Sequence, residues 1–414
     1  MKKDFYRSLR VLLAAALLLS AAGCVGCNIT GENNEKKAGR SDSIAIMTWN
    51  VQSLFDGTED GIEYDEYRES AGWNREKYQG RLNVIAAALG SMSRKPDIIA
   101  LQELESAQAL TDLAAAFSRG SGGYNWTHFA TIPGMALGVG IMSRFPFDWT
   151  KSHIVNIEDT LAPRPMLEAR IKTSGALHDE PDDSSLVLFV CHWKSKLGGD
   201  DQTESTRRAS ARIILRRLRE LAEAEPDLPV VIMGDLNENY DEYYRRSGTV
   251  ISALLPDDPH AAELAGLYGF DSNLPDAGAK ISALQKDFII ICKNKPPEAK
   301  YFPSGVQVLF SPWTEMQSNA GDDITAAGET ADSIGSYNYK NAWETIDHFL
   351  LSPQLFSGAA NGTNGETGRW IFDSCHVVNQ QPFTSAKGLP AAYNPRTGAG
   401  LSDHLPLLLM LKMK

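Results

Sequence analysis

Val230–Asn239, VVIMGDLNEN, decides the reading of the chain. Val230–Met233 is apolar with three β-branched residues, too short for an ordinary helix, and reads as a buried strand that stops at Gly234. Asp235 and Asn237 follow on a sharp turn, a carboxylate and an amide two residues apart. Asp and Asn are also common turn formers, so GDLN by itself decides little. Its company decides more. Strand-like runs elsewhere end in TWN at Asn50, LQE at Glu103, CHWKSK at His192 and TIDH at Asp347, and LSDHLP places Asp403 and His404 just before a terminal strand.

Outward from that centre, Ser43–Asn50 and Pro96–Glu103 read as strands, and Leu186–Cys191 as a central one. Helical spacing follows Asn74, a good N-cap, and runs again over about Ser106–Phe117 and Thr203–Ala224. Glu242–Leu255 reads as a helix, Ala283–Cys292 and Trp343–Ser352 as strands, and Leu405–Leu411 as the last strand. Arg164–Lys172 alternates like a half-exposed strand. Pro303–Tyr339 is expected to be a long loop region of the kind that carries specificity.

The 414 residues, 43% of them hydrophobic, suffice for a large core. A net charge of −12 argues against a protein that coats nucleic acid non-specifically, because such binding rests on Lys and Arg neutralising phosphates. An enzyme that grips phosphate locally is not excluded. Residues 1–23 read as a signal peptide: Lys2, Lys3, Arg7 and Arg10 precede the short apolar run Val11–Ala22. Ala21–Cys24, AAGC, is similar to a bacterial lipobox, which makes Cys24 the expected lipidation site, residues 24–42 a flexible tether and residues 43–414 the folded domain. The chain is therefore expected to be exported, anchored to a membrane by lipid and monomeric. Cys191, Cys292 and Cys375 lie in strand-like runs and read as buried thiols rather than a disulfide framework.

Asn50, Glu103 and Asp347 are oxygen ligands that suit Mg²⁺, or Mn²⁺, better than zinc. No HExxH, GxSxG or Cys/His cluster occurs, and Gly138-Val-Gly140 lacks the remainder of a nucleotide loop. Neighbours in an extended chain point apart, so Asp403 cannot orient His404; Asp347 is a candidate to do so. His192, Lys194 and Lys196 would project to one side if their strand continued, forming an anion site. Arg164, and Arg207 near its helix start, are further expected substrate contacts. The chemistry that these groups fit is phosphate-ester hydrolysis, with water activated by His404 or by Asp235.

TWN, LQE, HWKSK, GDLN, IDH and SDH, in this order over Ile44–Lys414, resemble the endonuclease/exonuclease/phosphatase superfamily of Mg²⁺-dependent phosphoesterases. The resemblance implies that residues 43–414 form a catalytic domain of the α/β (α+β) class, a four-layer sandwich of two mixed β-sheets flanked by helices, with all six motifs at one end. It implies metal ligation by Asn50, Glu103 and Asp403, phosphate contact by His192, and nucleophile positioning by Asp235 and Asn237. His404 falls to base or phosphate ligand, and Asp347 to support of that histidine or of a second metal. HWKSK looks most like exported nuclease-type members, with nucleic acid as substrate. A membrane anchor and acidic balance leave a phospholipid, sphingomyelin or inositol-phosphate head group as the alternative, and a non-catalytic surface binding protein as a third reading.

Overall fold

The structure, a computed structural model, describes residues 43–118, 123–157, 160–162, 164–173, 185–267, 285–303, 305–321, 335–356 and 370–414. The expected signal segment, Cys24 and the tether lie outside them. In chain order the elements are β1 (Ser43–Leu54), α1 (Arg75–Ser91), β2 (Ile98–Leu104), α2 (Ala107–Ser118), β3 (Trp126–Ala130), β4 (Gly138–Ser143), β5 (Phe147–His153), β6 (Asn156–Ile157), β7 (Thr160–Leu161), β8 (Met166–Lys172) and β9 (Ser185–His192). There follow α3 (Asp200–Ala224), β10 (Val230–Asp235), α4 (Glu242–Arg245), β11 (Leu254–Pro256), α5 (Pro259–Leu264), β12 (Ile289–Cys292), β13 (Val308–Phe310), α6 (Trp313–Gly321), β14 (Tyr337–Tyr339), β15 (Ala342–Glu344), β16 (Asp347–Leu351), β17 (Trp370–Val377) and β18 (Leu407–Met413).

Two mixed sheets carry the fold. One is ordered β17-β18-β1-β2-β4-β3, the other β11-β12-β13-β16-β10-β9-β8-β5. Each holds a parallel pair joined through a helix: β1 and β2 through α1, and β9 and β10 through α3. Asn74 caps α1, its side chain accepting the Lys77 amide at 3.1 Å. The central strands are apolar throughout because both of their faces are covered. Along β9, Leu186, Leu188 and Val190 join the core between the sheets, while Val187, Phe189 and Cys191 pack with Ile214, Leu215 and Leu218 of α3. In β10 the same alternation sends Val231 and Met233 inward and Val230 and Ile232 toward α3. The result is the expected sandwich, two sheets between helical layers.

Three expectations are corrected. Helix α4 ends at Arg245, since Ser247 and Gly248 take positive φ of 57° and 66°, and Leu254–Pro256 pairs with β12 as a strand instead. The region 303–339 is no simple loop, for it holds β13, α6 and β14. Trp343–Ser352 is two strands, β15 and β16, with a break at Thr345–Ile346. No helix among the described residues is long and apolar enough to cross a membrane. Cys191 and Cys292 are buried free thiols, and Cys375 is half-buried.

Candidate active site

The GDLN turn ends β10 between two neighbours. Asp235 lies in register with His192 at the end of β9 and with Asp347 at the start of β16, so three adjacent strands deliver three polar groups to one edge. Gly234 makes the close approach possible: its φ is +133°, and a Cβ there would lie 2.0 Å from the Cys191 carbonyl oxygen. The other sheet meets this edge. Asn50 ends the regular pairing of β1 with β2, and a bulge between Gln102 and Leu104 turns Glu103 out of the ladder at φ +66°. Asn50 Nδ2 donates to Asp235 Oδ2 at 3.0 Å and to Glu103 Oε1 at 3.2 Å, which ties the two sheets together at the site. Its oxygen accepts the Gln52 amide at 3.0 Å. Through its side-chain nitrogen Asn50, expected as a metal ligand, bridges two carboxylates.

His404 enters from the loop before β18. Trp49 Nε1 donates to its carbonyl at 3.0 Å, and Ser402, whose hydroxyl donates to Asn50 O at 2.6 Å, accepts its amide at 3.0 Å. Its Nδ1 lies 2.8 Å from Asp347 Oδ2 and its Nε2 4.0 Å from Asp235 Oδ2. His192 Nε2 is 3.4 Å from the same Asp235 oxygen and 3.8 Å from Glu103 Oε1. Asn237, at φ +50°, donates through its amide N–H to Asp235 Oδ1 at 2.9 Å and through Nδ2 to Trp193 O at 3.2 Å. A cavity of about 670 Å³ opens over these groups; Glu103, Arg164, His192, Asp235, Asp403 and His404 line it.

Burial and charge divide the titrating groups. Burial pushes Asp235 up to about 7, with the Asp347 charge adding to the rise and His404 opposing it. Asp403 is raised as well, by burial and by Glu103. Burial holds His192 well below the usual histidine range, helped by Arg164 and His404, so this imidazole is neutral. His404 goes the other way: burial alone would lower it, but Asp347, Asp403 and Asp235 together hold it well above that range, as an imidazolium.

The donors fit a divalent cation. Glu103, Asp235 and Asp403 bring carboxylates to one cavity with no cysteine among them, and the buried Asp347 Oδ1 has no hydrogen-bond partner among the described residues. Like charges held together in this way are relieved by a hard cation, and an all-oxygen set is what such a cation takes. One atom each of Asp235, Asp347 and His404 also lie within 4.8 Å of one another.

Two expected substrate contacts fall elsewhere. Arg207 is fully buried, with Nε 2.5 Å from Glu238 and Nη2 2.8 Å from Glu204, so it locks α3 to the GDLN turn and is not among the residues that line the site cavity. Strand β9 stops at His192, and Lys194 turns back on its own loop, donating to Ser195 O and Leu197 O at 3.2 Å. Lys196 does line the cavity, although Glu242 Oε2 holds its ammonium at 2.5 Å. Arg164 lines it too, and donates to Trp193 O at 3.3 Å.

Residues that the motifs did not flag complete the site. Ser53 holds Glu103 Oε2 through its amide at 2.9 Å and its hydroxyl at 3.0 Å. Tyr337 stacks on the His404 ring at 4.6 Å, and Tyr339 stacks beyond it at 6.4 Å. Alternation of two tyrosines in YNY, between glycine-rich and charged stretches, was the only sequence signal for this hairpin.

A family model described as the endonuclease/exonuclease/phosphatase family matches residues 44–264. No curated protein matches the chain. Similar solved structures include TDP2 from C. elegans, with 14% identity over 89% of this chain and 75% of that one at a TM-score of 0.46. The human Nocturnin catalytic domain with bound sulfate has 12% identity over 90% and 95% at 0.43. An endonuclease/exonuclease/phosphatase from Beutenbergia cavernae has 14% identity over 90% and 72% at 0.43. With more than half of its length matched by the family model and the six motifs gathered at one edge of the sandwich, this chain belongs to the endonuclease/exonuclease/phosphatase family, whose members are phosphoesterase hydrolases.

Proposed function

We propose that the protein hydrolyses phosphodiester bonds in a Mg²⁺-dependent reaction, as an exported, lipid-anchored nuclease-type phosphodiesterase. The observation that carries this reading is the convergence of Asn50, Glu103, His192, Asp235, Asn237, Asp347 and His404 at one edge of the sandwich. Glu103 with Asp403 would hold the Mg²⁺ ion, which would supply positive charge against a phosphoryl oxygen. The chain supplies the rest. His404, doubly protonated, offers Nε2–H to the phosphate, while Asp347 fixes its ring through Nδ1. Neutral His192 and the Asn237 amide stand beside the same position as further donors. Asp235, with a pKa near neutrality, is better placed than His404 to accept the proton of the attacking water. Water oxygen bonds to phosphorus as the ester P–O bond breaks, the water proton passes to Asp235, and the leaving oxygen takes a proton from solvent or His404.

The aromatic column favours nucleic acid over a lipid head group. His404, Tyr337 and Tyr339 stack outward in series, and Tyr339 is 49% exposed at the rim with Lys340 Nζ 4.9 Å from its ring centroid. Such a surface suits a base beside the scissile phosphate, since every base has a face to stack. Assay of the wild-type chain on single-stranded DNA, RNA, sphingomyelin and a chromogenic phosphodiester, with Mg²⁺ and with chelator, tests the reading. Chelator-sensitive cleavage of nucleic acid is expected. Cleavage of lipid alone would overturn the nuclease assignment.

A further inference from the structure

A second group of carboxylates lies where β1 has ended, outside the cavity described above. The stretch Asp56–Glu63, DGTEDGIE, spaces acidic residues around Gly61, whose φ is +97°. Asp56 Oδ1 accepts the Thr58 amide at 2.8 Å, and the Glu63 carboxylate accepts the amides of Asp60 and Gly61 at 2.5 and 2.9 Å. The loop thus folds its carboxylates inward, toward Glu105 just past β2. Asp60, Glu63 and Glu105 each present an oxygen, and the three oxygens lie within 4.8 Å of one another.

Glu105 supplies an independent observation. It is only 7% exposed; one of its oxygens accepts the Asp56 amide, while Oε1 is buried with no hydrogen-bond partner among the described residues. The charges that face it are those of Asp56, Glu63 and Asp60, all negative. A buried carboxylate oxygen among like charges is relieved by a bound cation, and among the described residues no Lys, Arg or His side chain pairs with it.

We propose that Asp60, Glu63 and Glu105 bind a calcium-class cation at a site separate from the catalytic one. A loop that offers several carboxylates, with Asp60 exposed to admit water, matches the many-oxygen, flexible coordination of Ca²⁺ better than the strict octahedron of Mg²⁺. The cation fastens the segment after β1 to the end of β2. That segment is held otherwise by an aromatic chain: Phe55 stacks on Tyr67 at 4.6 Å, Tyr67 meets Trp73 at 4.9 Å, and Trp73 donates to Asp56 O at 2.7 Å.

Terbium, a calcium surrogate whose emission Trp73 can sensitise, tests this in the full chain carrying Glu103→Gln to disable the catalytic site. One terbium should bind, calcium should displace it at concentrations where magnesium does not, and calcium should raise the melting temperature. Adding Asp60→Asn, an exposed substitution that leaves the core intact, should weaken terbium binding at least tenfold, and Glu63→Gln should do the same. Emission that is absent in the Glu103→Gln chain, that survives both further substitutions unchanged, or that magnesium quenches as readily as calcium would overturn the proposal.

Discussion

Asp235 serves two purposes at once. Its Oδ1 orders the turn by accepting the Asn237 amide, while its Oδ2 takes the Asn50 amide and faces both histidines. Asp235→Asn should lower kcat on a chromogenic phosphodiester by about 10²–10⁴, the range of a positioned acid–base group, with KM and the circular dichroism spectrum little changed. The acid limb of the kcat/KM profile should lie at or below about 7, because rate rises as this carboxyl loses its proton and a nearby cation favours the ionised form. A rate that is flat from pH 5 to 8 would count against Asp235 as base. Gly234 is constrained just as tightly. Gly234→Ala forces a methyl group into the Cys191 carbonyl at a strained φ, so a loss of about 1–3 kcal/mol in denaturant unfolding should accompany the loss of activity.

At the scale of elements, helix α3 is attached to the GDLN turn through a buried charge cluster. Removing Arg207 strands the Glu204 and Glu238 carboxylates, so Arg207→Ala should cost about 3–5 kcal/mol of stability and, below the melting temperature, leave KM near wild type. A substrate-binding arginine would give the reverse pattern. The hairpin β14–β15 makes the opposite case. Tyr339→Ala should raise KM for single-stranded DNA by about one to two orders of magnitude, from a stacking contribution of roughly 1–3 kcal/mol, while sparing a small chromogenic diester. The contrast explains what the sequence discloses. Strands β1, β2, β9 and β10 are legible because burial on both faces leaves unbroken apolar runs, and the polar residue that ends each run marks the site. Edge strands such as β5, FDWTKSH, and β17, WIFDSCHV, have exposed positions and no clean alternation, so they pass unnoticed. Arg207 is misread because its place near a helix start does not say which side of the helix meets the turn. Tyr337 gains its role only by pairing with His404, 67 positions away, which no local pattern records.

Over the whole molecule, the sandwich brings two sheet edges together and concentrates negative charge where they meet. The order TWN, LQE, HWKSK, GDLN, IDH, SDH places these groups on one edge because β1, β2, β9 and β10 are parallel within their pairs, while β16 and β18 run opposite and bring their beginnings there. Concentrated charge has a thermodynamic sign. Asp235 and Asp403 bind protons more tightly in the folded state than as free carboxyls, so their contribution to the stability of the cation-free protein falls as pH rises from about 4 to 7. His404, raised in the folded state, contributes stability below about 6.5 that is lost as pH climbs through its folded value, the same direction. Added Mg²⁺, which favours the ionised carboxylates, should therefore raise the melting temperature more at pH 8 than at pH 6; a metal-insensitive melting curve at both would contradict this. The most direct test of the central claim is phosphodiester turnover by the full chain against Mg²⁺ concentration, beside Asp235→Asn and His404→Ala. Saturable, chelator-reversed turnover that both substitutions abolish is the predicted result. Equal turnover by all three proteins, or turnover indifferent to chelation, would contradict it.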